Sequence, residues 1–379
     1  MKERTIAFLT TSHLPFDDRI YYSMAISLSK SYNIVIVATT QNIREISGNI
    51  NVCAEDKADF SKTEKIDFFL NQLKAYRPGV IICSEPLPII AAYKYKRKEA
   101  EKVSILYDIT EWYPSKKQLI HESFPAKIYV FFKLLFFNLF ASCFVDGFIF
   151  GERYKSLPYR LAFPLKKWAL ISYYPNLDFI KFVEASLNPK HVCLGYTGKI
   201  SLEKGIKNVW EVAKTIKLKR PELEVKVKVI GWFGDEKEEK IFNQLISTNN
   251  GISVELLGRQ DFITFSETLK DIDIFLDLRK IDLENSRCLP IKLYYYIACG
   301  RPVIYSNLKA IRKEIEVNQF GYLVKPNNAD LISNYILNYI DHSDIFLKHS
   351  HRARELALNN YNWRAIEPAF LNYIQKFQN

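Results

Sequence analysis

The 379-residue sequence lacks several features that would assign a class of protein at once. No low-complexity segment occurs, and the cysteines lie far apart without metal-ligand spacing, so they predict neither a disulfide framework nor a zinc site. The six cysteines are Cys53, Cys83, Cys143, Cys193, Cys288 and Cys299. The start, Met1 to Arg4, leads into an apolar run only as long as a strand, which predicts neither a signal peptide nor a membrane anchor there. We therefore expect a folded, cytoplasmic protein.

The charge is unbalanced, with a net +11 at pH 7 and a pI near 9.1. Such a surplus attracts polyanions: nucleic acid, an anionic membrane surface or phosphorylated small molecules. The lysines and arginines are dispersed, and no helix-turn-helix, zinc-finger or aromatic RNA-binding signature occurs. We do not expect nucleic acid as a partner.

Hydrophobic patterns alternate between strands and helices in both halves of the chain, which predicts an α/β fold with parallel sheets. The length and the 48% of hydrophobic residues suffice for two domains. We predict Rossmann-like domains over 1–175 and 190–360, with a terminal helix over 361–379. The predicted strands are 5–11, 34–38, 80–83, 103–107, 147–150, 194–197, 225–230, 254–257 and 274–276. Helices are expected over 22–30, around 66–73, over 126–144 and around 209–216.

The segment PIKLYYYIACGRPVI, residues 290–304, combines a helical pattern with an apolar strand. Gly300 followed by Pro302 ends a helix sharply, so the backbone turns at a defined place. The segment resembles the donor-binding signature of GT4-type glycosyltransferases of the GT-B fold, Pro-x-Lys-Leu-Phe-Glu-Tyr-Met-Ala-x-Gly-x-Pro-Val-Ile. This resemblance implies two Rossmann-like domains facing each other across a cleft, with the terminal helix crossing back to the first domain. It also implies donor contacts by Pro290, Lys292 and Leu293.

A second segment, GKISLEKG at residues 198–205, follows a predicted strand and opens a helix. Glycine allows close approach of a ligand, and a helix N-terminus favours an anion. Gly198, Lys199 and Lys204 are therefore predicted to bind a diphosphate, and the segment resembles the basic GT4 motif that holds the donor pyrophosphate. The alternative is two solvated lysines around a turn.

The loop SHLPFDDRI, residues 12–20, follows the first strand, at the edge where α/β sheets bind ligands. It resembles the Ser-His-x-Pro-Phe-Asp-x-Arg-Ile loop of many GT4 enzymes, which implies acceptor contacts. The residues concerned are His13, Asp17, Asp18 and Arg19. Alternatively, the loop is an Asp-rich turn in which Asp18 caps the next helix.

The segment YDITEWYP, residues 107–114, also follows a strand and resembles Tyr-Asp-x-His-Glu-x-Tyr-Pro of the same enzymes. The resemblance implies catalytic roles for Asp108, Thr110 and Glu111. Thr110 stands where those enzymes carry histidine, so only a hydroxyl is available for hydrogen bonding to a sugar. Asp108 and Glu111 could equally serve as a capping pair for the following segment.

Two further positions depart from the family pattern. Many GT4 enzymes carry two glutamates eight positions apart, and Arg287 and Tyr295 stand in their places here. We predict that both residues lie at the donor site. Tyr295 either stacks on the nucleotide or marks a donor site that has decayed.

The stretch from Ile128 to Phe140 is apolar almost all round. It fits either a deeply buried helix or one lying in a membrane interface, and we favour burial.

The resemblance implies a retaining glycosyltransferase that moves a sugar from a nucleoside diphosphate sugar to a glycan or lipid-linked glycan, in surface polysaccharide synthesis. Neither a metal nor a further cofactor is implied. The basic surplus leaves peripheral contact with the inner face of an anionic membrane open. A catalytically silent GT-B subunit that scaffolds an active partner is the main alternative; a sugar-nucleotide epimerase lacks a convincing set of acid and base residues.

Overall fold

The computed structural model describes residues 4–99, 102–111, 114, 119, 123–248 and 251–378. Trp112 and Tyr113 of the YDITEWYP segment lie outside the described residues. The chain divides into two compact units, residues 1–173 with 366–379 and residues 174–365.

The first unit is built on an eight-stranded sheet in the order β3-β4-β2-β1-β5-β6-β7-β8. All neighbours are parallel except β3, which pairs antiparallel with β4. Runs of β-branched residues buried on both faces form its central strands, as a parallel sheet requires. The strands are β1 Thr5–Thr10, β2 Asn33–Ala38, β3 Ile43–Ser47, β4 Ile50–Ala54, β5 Val80–Cys83, β6 Ser104–Ile109, β7 Gly147–Phe150 and β8 Lys167–Leu170.

Helices connect these strands. A π-helical segment, Ile20–Ala25, runs directly into α1 Ile26–Ser29. The next helix begins with a capping box in which Ser61 and Glu64 accept each other's backbone N–H, and it ends at Arg77 in the left-handed region. The remaining bounds are α2 Lys62–Tyr76, α3 Pro86–Glu99, α4 Phe124–Cys143 and α5 Arg153–Ala162.

The second unit has a six-stranded, fully parallel sheet in the order β11-β10-β9-β12-β13-β14. This is the doubly wound Rossmann order, whose switch point lies between β9 and β12. Its strands are β9 His191–Ile200, β10 Glu224–Phe233, β11 Ile252–Leu257, β12 Ile274–Asp277, β13 Val303–Ser306 and β14 Gly321–Val324. Its helices are α6 Ile206–Lys219, α7 Glu236–Ser247, α8 Phe262–Leu269, α9 Leu283–Ser286, α10 Ile291–Ala298, α11 Lys309–Glu314, α12 Ala329–Asp341 and α13 Ser343–Asn359.

The last helix, α14, spans Trp363–Gln375, and the chain from residue 366 onward groups with the first unit. The Tyr373 hydroxyl donates to the Lys167 carbonyl at 3.0 Å, and Lys30 pairs with Glu367 at 2.8 Å. Gly147 in β7 leaves room for the Tyr373 side chain, because a Cβ there would collide with the hydroxyl. These contacts fix the C-terminus on the first sheet.

Every strand predicted from the sequence is present, and the α/β fold with two Rossmann-like units is confirmed. The elements that were not predicted include the hairpin of β3 and β4, strand β8 and helix α3. β3 is largely exposed and β8 is only half-buried, so neither shows the continuous apolar run of a central strand.

The preference for a deeply buried helix at Ile128 to Phe140 is wrong. Only Asn138, Ala141 and Ser142 of α4 are buried. The high hydrophobicity of the stretch predicts burial of the whole helix. The apolar residues instead lie on every face of α4, and only one face packs on the first unit.

Candidate active site

The loop after β9 lies at the switch point of the second sheet, where α/β proteins bind ligands. β9 and β10 pair with Gly198 opposite Gly231. A Cβ on Gly231 would collide with the Gly198 carbonyl, and Gly198 itself has a φ of +96°, a conformation that favours glycine. The two glycines therefore allow the strands to approach closely where the loop begins.

Lys292, near the start of α10, reaches the backbone from Thr197 to Lys199, which we call the Gly198 turn. Its Nζ donates to the Thr197 carbonyl and lies 3.4 Å from Asp277 Oδ2. Burial lowers the pKa of Lys292 to about 8, which the carboxylate of Asp277 opposes and the charge of Arg279 reinforces. The ammonium therefore keeps most of its proton at neutral pH but loses it at a lower pH than an exposed lysine does, and a bound anion would favour its charged form.

Asp277 belongs to a buried ion pair that was not predicted from the sequence. Arg279 binds both of its carboxylate oxygens, with Nε 2.6 Å from Oδ1, and the Tyr305 hydroxyl donates to Oδ2 at 2.7 Å. Burial would raise the pKa of Asp277, but Arg279 and Lys292 hold it far below its usual range. The signal in the sequence was an acidic and a basic residue two positions apart directly after an apolar strand.

Both lysines of the GKISLEKG segment hold partners in the second unit. Lys199 Nζ lies 3.2 Å from Glu238 Oε2, and Lys204 Nζ lies 2.9 Å from Asn285 Oδ1. Both side chains are partly exposed. They are therefore partly solvated, as the alternative expects, and they also contact side chains of α7 and α9.

The other predicted donor residues lie elsewhere around α10. Pro290 precedes the helix, and Arg287 is exposed after α9. Leu293 is fully buried in the core. The structure thus brings Lys292 to the Gly198 turn, but not Leu293.

Tyr295 is only 5% exposed, and its ring lies 5.7 Å from that of Phe262 and 5.6 Å from that of Phe265. The next residue, Tyr296, points toward β9, where its hydroxyl lies 2.5 Å from Thr197 Oγ1. Consecutive helical residues point about 100° apart, so only one of the two faces the turn. Sequence comparison singled out Tyr295 and missed Tyr296.

In the first unit, the switch point lies between β1 and β5, and the SHLPFDDRI loop leaves β1 there. His13 Nδ1 lies 3.0 Å from Asp17 Oδ2. Asp17 Oδ1 accepts the backbone N–H groups of Arg19 and Ile20. Asp17 thus holds the turn that leads into the segment Ile20–Ala25, which itself has no side-chain cap, so the capping role considered for Asp18 is not observed.

The electrostatics of this loop are unusual. Burial would lower the pKa of His13, but the carboxylate of Asp17, helped by Glu85 and Asp108, raises it to about 10. Burial, reinforced by the charge of Asp17, raises the pKa of Asp18 to about 7. His13 is therefore a cation at neutral pH, whereas Asp18 titrates close to neutral pH.

Asp108 pairs with Arg19 across the sheet. Arg19 Nε and Nη2 each lie 2.8 Å from one carboxylate oxygen, and Nη1 donates to the Ile171 carbonyl at 2.9 Å. Asp108 is only 1% exposed. The structure thus joins a predicted catalytic residue to a predicted acceptor contact, and Asp108 pairs with Arg19 rather than with Glu111 as a cap.

A cavity of about 340 Å³ opens beside this loop. Thr110 Oγ1 lies 3.4 Å from His13 Nε2 on its wall, so an imidazole from the first loop stands beside the residue that replaces the family histidine. Glu85, not predicted, accepts from the Thr10 hydroxyl at 2.9 Å and from the Thr11 N–H at 2.8 Å. The lining residues are Thr11, Ser12, His13, Lys62, Ser84, Glu85, Pro86, Leu87, Tyr107, Thr110, Glu111, Leu134 and Phe137.

Solved structures resemble the chain over nearly its whole length. A sucrose-phosphate synthase from Thermosynechococcus elongatus is 16% identical with a TM-score of 0.74, covering 99% of both chains. Anabaena Alr3699/HepE in complex with UDP is 13% identical with a TM-score of 0.66, covering 98% of this chain and 100% of that one. A trehalose-6-phosphate structure from E. coli, bound with UDP-2-fluoro glucose, is 10% identical with a TM-score of 0.67, covering 99% of both chains. These likenesses define the fold as that of the GT-B glycosyltransferases.

Residues 179–359 match the family model described as glycosyl transferases group 1. The matched region contains the Gly198 turn and α10. None of the proteins of curated function matches the chain in sequence.

Proposed function

We propose that the protein is a retaining glycosyltransferase that moves a sugar from a nucleoside diphosphate sugar to a glycan or lipid-linked glycan in the cytoplasm, in surface polysaccharide synthesis. The observation that carries this proposal is the set of lysines around the Gly198 turn, within the region that matches the family. Lys199 lies at the end of β9, Lys204 lies in the loop that follows, and Lys292 reaches the Thr197 carbonyl in the same part of the strand. The end of β9 with this loop is our proposed diphosphate site.

Charge neutralisation is the main task of such a site. As the bond from the sugar to the diphosphate breaks, negative charge grows on the leaving oxygen, and pre-positioned cations stabilise it. Lys199 and Lys204 are held by Glu238 and Asn285, so little reorganisation is needed. We propose that these lysines take the role of a divalent cation and that neither a metal nor a further cofactor takes part.

The cavity of the first unit is our proposed acceptor site. His13 and Glu85 offer a cation and an anion, and Thr110 offers a hydroxyl, which together suit the hydroxyl groups of a sugar. Because both carboxylate oxygens of Asp108 bind Arg19, we do not assign Asp108 as the base that removes the proton. We propose instead that the leaving phosphate accepts the proton of the acceptor hydroxyl.

Calorimetric titration with UDP and GDP, followed by incubation with sugar nucleotides, tests the proposal. Binding of a nucleoside diphosphate together with sugar transfer to an added glycan or lipid-linked acceptor supports it. Slow hydrolysis of the donor without an acceptor would support a functional donor site alone. A protein that binds no nucleoside diphosphate or sugar nucleotide at millimolar concentration contradicts the transferase proposal.

A catalytically silent GT-B subunit is the second candidate, and two observations favour it. The carboxylate of Asp108 is closed off by Arg19, and Tyr295 lies in the core where the family carries a ribose-binding glutamate. Such a subunit would bind nucleotide without turnover. Recovery of activity only when a partner glycosyltransferase is added would distinguish it from an enzyme acting alone.

A further inference from the structure

Helix α4 presents large apolar side chains to solvent along most of its length. Tyr129, Phe132, Phe136 and Phe140 follow each other at spacings of three or four residues, and all are exposed. Phe136 is 70% exposed and Phe132 is 61% exposed. Contiguous apolar surface of this kind marks a docking site in a soluble protein.

One polar residue on the inner face of α4 helps to hold the orientation of the helix. Asn138 is buried, its Oδ1 accepts from the Tyr107 hydroxyl at 3.1 Å, and its Nδ2 donates to the Tyr159 hydroxyl at 2.6 Å. Turning the phenylalanines inward would bury them but would break both hydrogen bonds. The exposed face is therefore a stable property of the fold.

Among the described residues, α4 is the helix long and apolar enough to cross a membrane, but only 17% of the 18-residue window that meets this criterion is buried. One face of α4 packs on the first unit through Asn138, Ala141 and Ser142. A helix held on a domain along one face is placed to lie along a bilayer surface rather than to span it.

Basic residues occur in α4 itself and next to its C-terminal end. The twenty residues of α4 include two lysines, Lys127 and Lys133, and no acidic residue. Tyr93 of α3 stacks on Phe144 at 4.0 Å, which brings the basic last turn of α3 beside the C-terminal end of α4. Lys94, Arg97 and Lys98 are exposed there.

Lys166 also contacts the C-terminal end of α4. Its Nζ donates to the carbonyls of Ser142 and Cys143 at 2.8 and 2.7 Å. The neighbouring Leu165 is 97% exposed. Exposed apolar side chains with cations at their border match the interface of a bilayer that carries anionic lipid.

We propose that α4 and the last turn of α3 form an apolar–basic surface that lies on an anionic lipid bilayer. Its phenylalanines enter the headgroup region, and Lys94, Arg97 and Lys98 face the lipid phosphates. Resting on the proposed function, this surface points to a lipid-linked acceptor, because Leu134 and Phe137 of α4 also line the proposed acceptor cavity.

The test is co-sedimentation of the full chain with vesicles of phosphatidylcholine alone and of phosphatidylcholine with phosphatidylglycerol, without any nucleotide. We expect binding to the anionic vesicles that weakens as salt rises. Phe132→Ser with Phe136→Ser should lower the partition coefficient by at least about tenfold. The matched control is Ile46→Ser with Leu218→Ser, which removes two apolar residues that are at least as exposed but lie outside the surface, and it should leave binding unchanged.

The basic part is tested by Lys94→Gln, Arg97→Gln and Lys98→Gln together. The control is Lys309→Gln, Arg312→Gln and Lys313→Gln, an equal change of charge on α11. We expect the first set to lower binding to anionic vesicles by at least about tenfold and the second set to have little effect.

Equal recovery in the supernatant with both vesicle types at low salt would overturn the inference. So would a dimer in light scattering that Phe132→Ser with Phe136→Ser dissociates, since a second copy would then cover the surface. UDP binding measured without vesicles separates the two proposals. Binding of UDP without binding of lipid would contradict the membrane surface and leave the proposed function standing. Binding of lipid without binding of any nucleotide would contradict the proposed function and leave the membrane surface standing.

Discussion

Arg19 and Asp108 form a buried, bidentate ion pair that joins the loop after β1 to the end of β6. Replacing Asp108 with asparagine would leave the guanidinium buried without its counter-charge. We expect a loss of about 3–5 kcal/mol in the free energy of unfolding, measured by urea denaturation.

The control for this prediction is Glu99→Gln, which breaks an exposed pair with Lys74. It should change the free energy of unfolding by less than about 0.5 kcal/mol. An Asp108→Asn protein as stable as the wild type but inactive would instead assign the carboxylate to catalysis.

Lys199 and Lys204 should each bind the donor diphosphate. Replacing either with alanine is expected to weaken UDP or GDP binding by about 1–3 kcal/mol, the range for a charge-assisted hydrogen bond. Calorimetry measures the change, and Lys214→Ala, which removes a lysine of α6 that pairs with Glu211, is the control. Unchanged affinity in both variants would rule out the site.

Lys292 should make donor binding depend on pH. Burial lowers its pKa to about 8, so the ammonium loses its proton as the pH rises above that value. If the diphosphate binds the protonated form, affinity for UDP should fall above pH 8 by up to about tenfold per pH unit. Lys292→Arg retains its charge and should flatten the profile between pH 7.5 and 9.5. A wild-type affinity that is constant across this range argues against the contact.

Tyr295 should contribute to stability rather than to donor binding. Its ring packs among Phe262 and Phe265, so Tyr295→Ala is expected to cost about 3–5 kcal/mol of stability while the folded protein keeps its affinity for UDP. Tyr295→Phe retains the ring and is the control for the hydroxyl. A loss of about 1–3 kcal/mol in UDP binding without destabilisation would indicate stacking on the nucleotide.

His13 should remain protonated well above neutral pH because Asp17 stabilises the imidazolium, which raises its pKa to about 10. This pair stabilises the fold fully below about pH 6.5, and the contribution disappears as the pH rises through about 10. Asp17→Asn should move the His13 pKa down by several units, measured by NMR titration of the imidazole protons. A wild-type His13 that titrates near 6.5 would contradict the ion pair.

Sequence patterns predicted the elements of this fold better than the partners of its side chains. Buried parallel strands such as β2 and β5 are local apolar runs, so they could be found, and the loops that follow them could be placed at the ligand-binding edge. The Arg19–Asp108 pair joins residues 89 positions apart, and no local pattern encodes it. Tyr295 was misjudged because alignment to a family motif assigns a position but not the direction of its side chain.

The hydrogen bonds of Asn138 also constrain how this protein can change by mutation. An asparagine-to-leucine substitution at that position would keep the number of side-chain heavy atoms and would make α4 more apolar, yet it would remove the two hydrogen bonds that hold the inner face of the helix on the first unit. Such a variant could roll its phenylalanines into the protein and gain solubility. The amide of Asn138 therefore keeps the apolar face of α4 exposed, a feature that selection for solubility alone would eliminate.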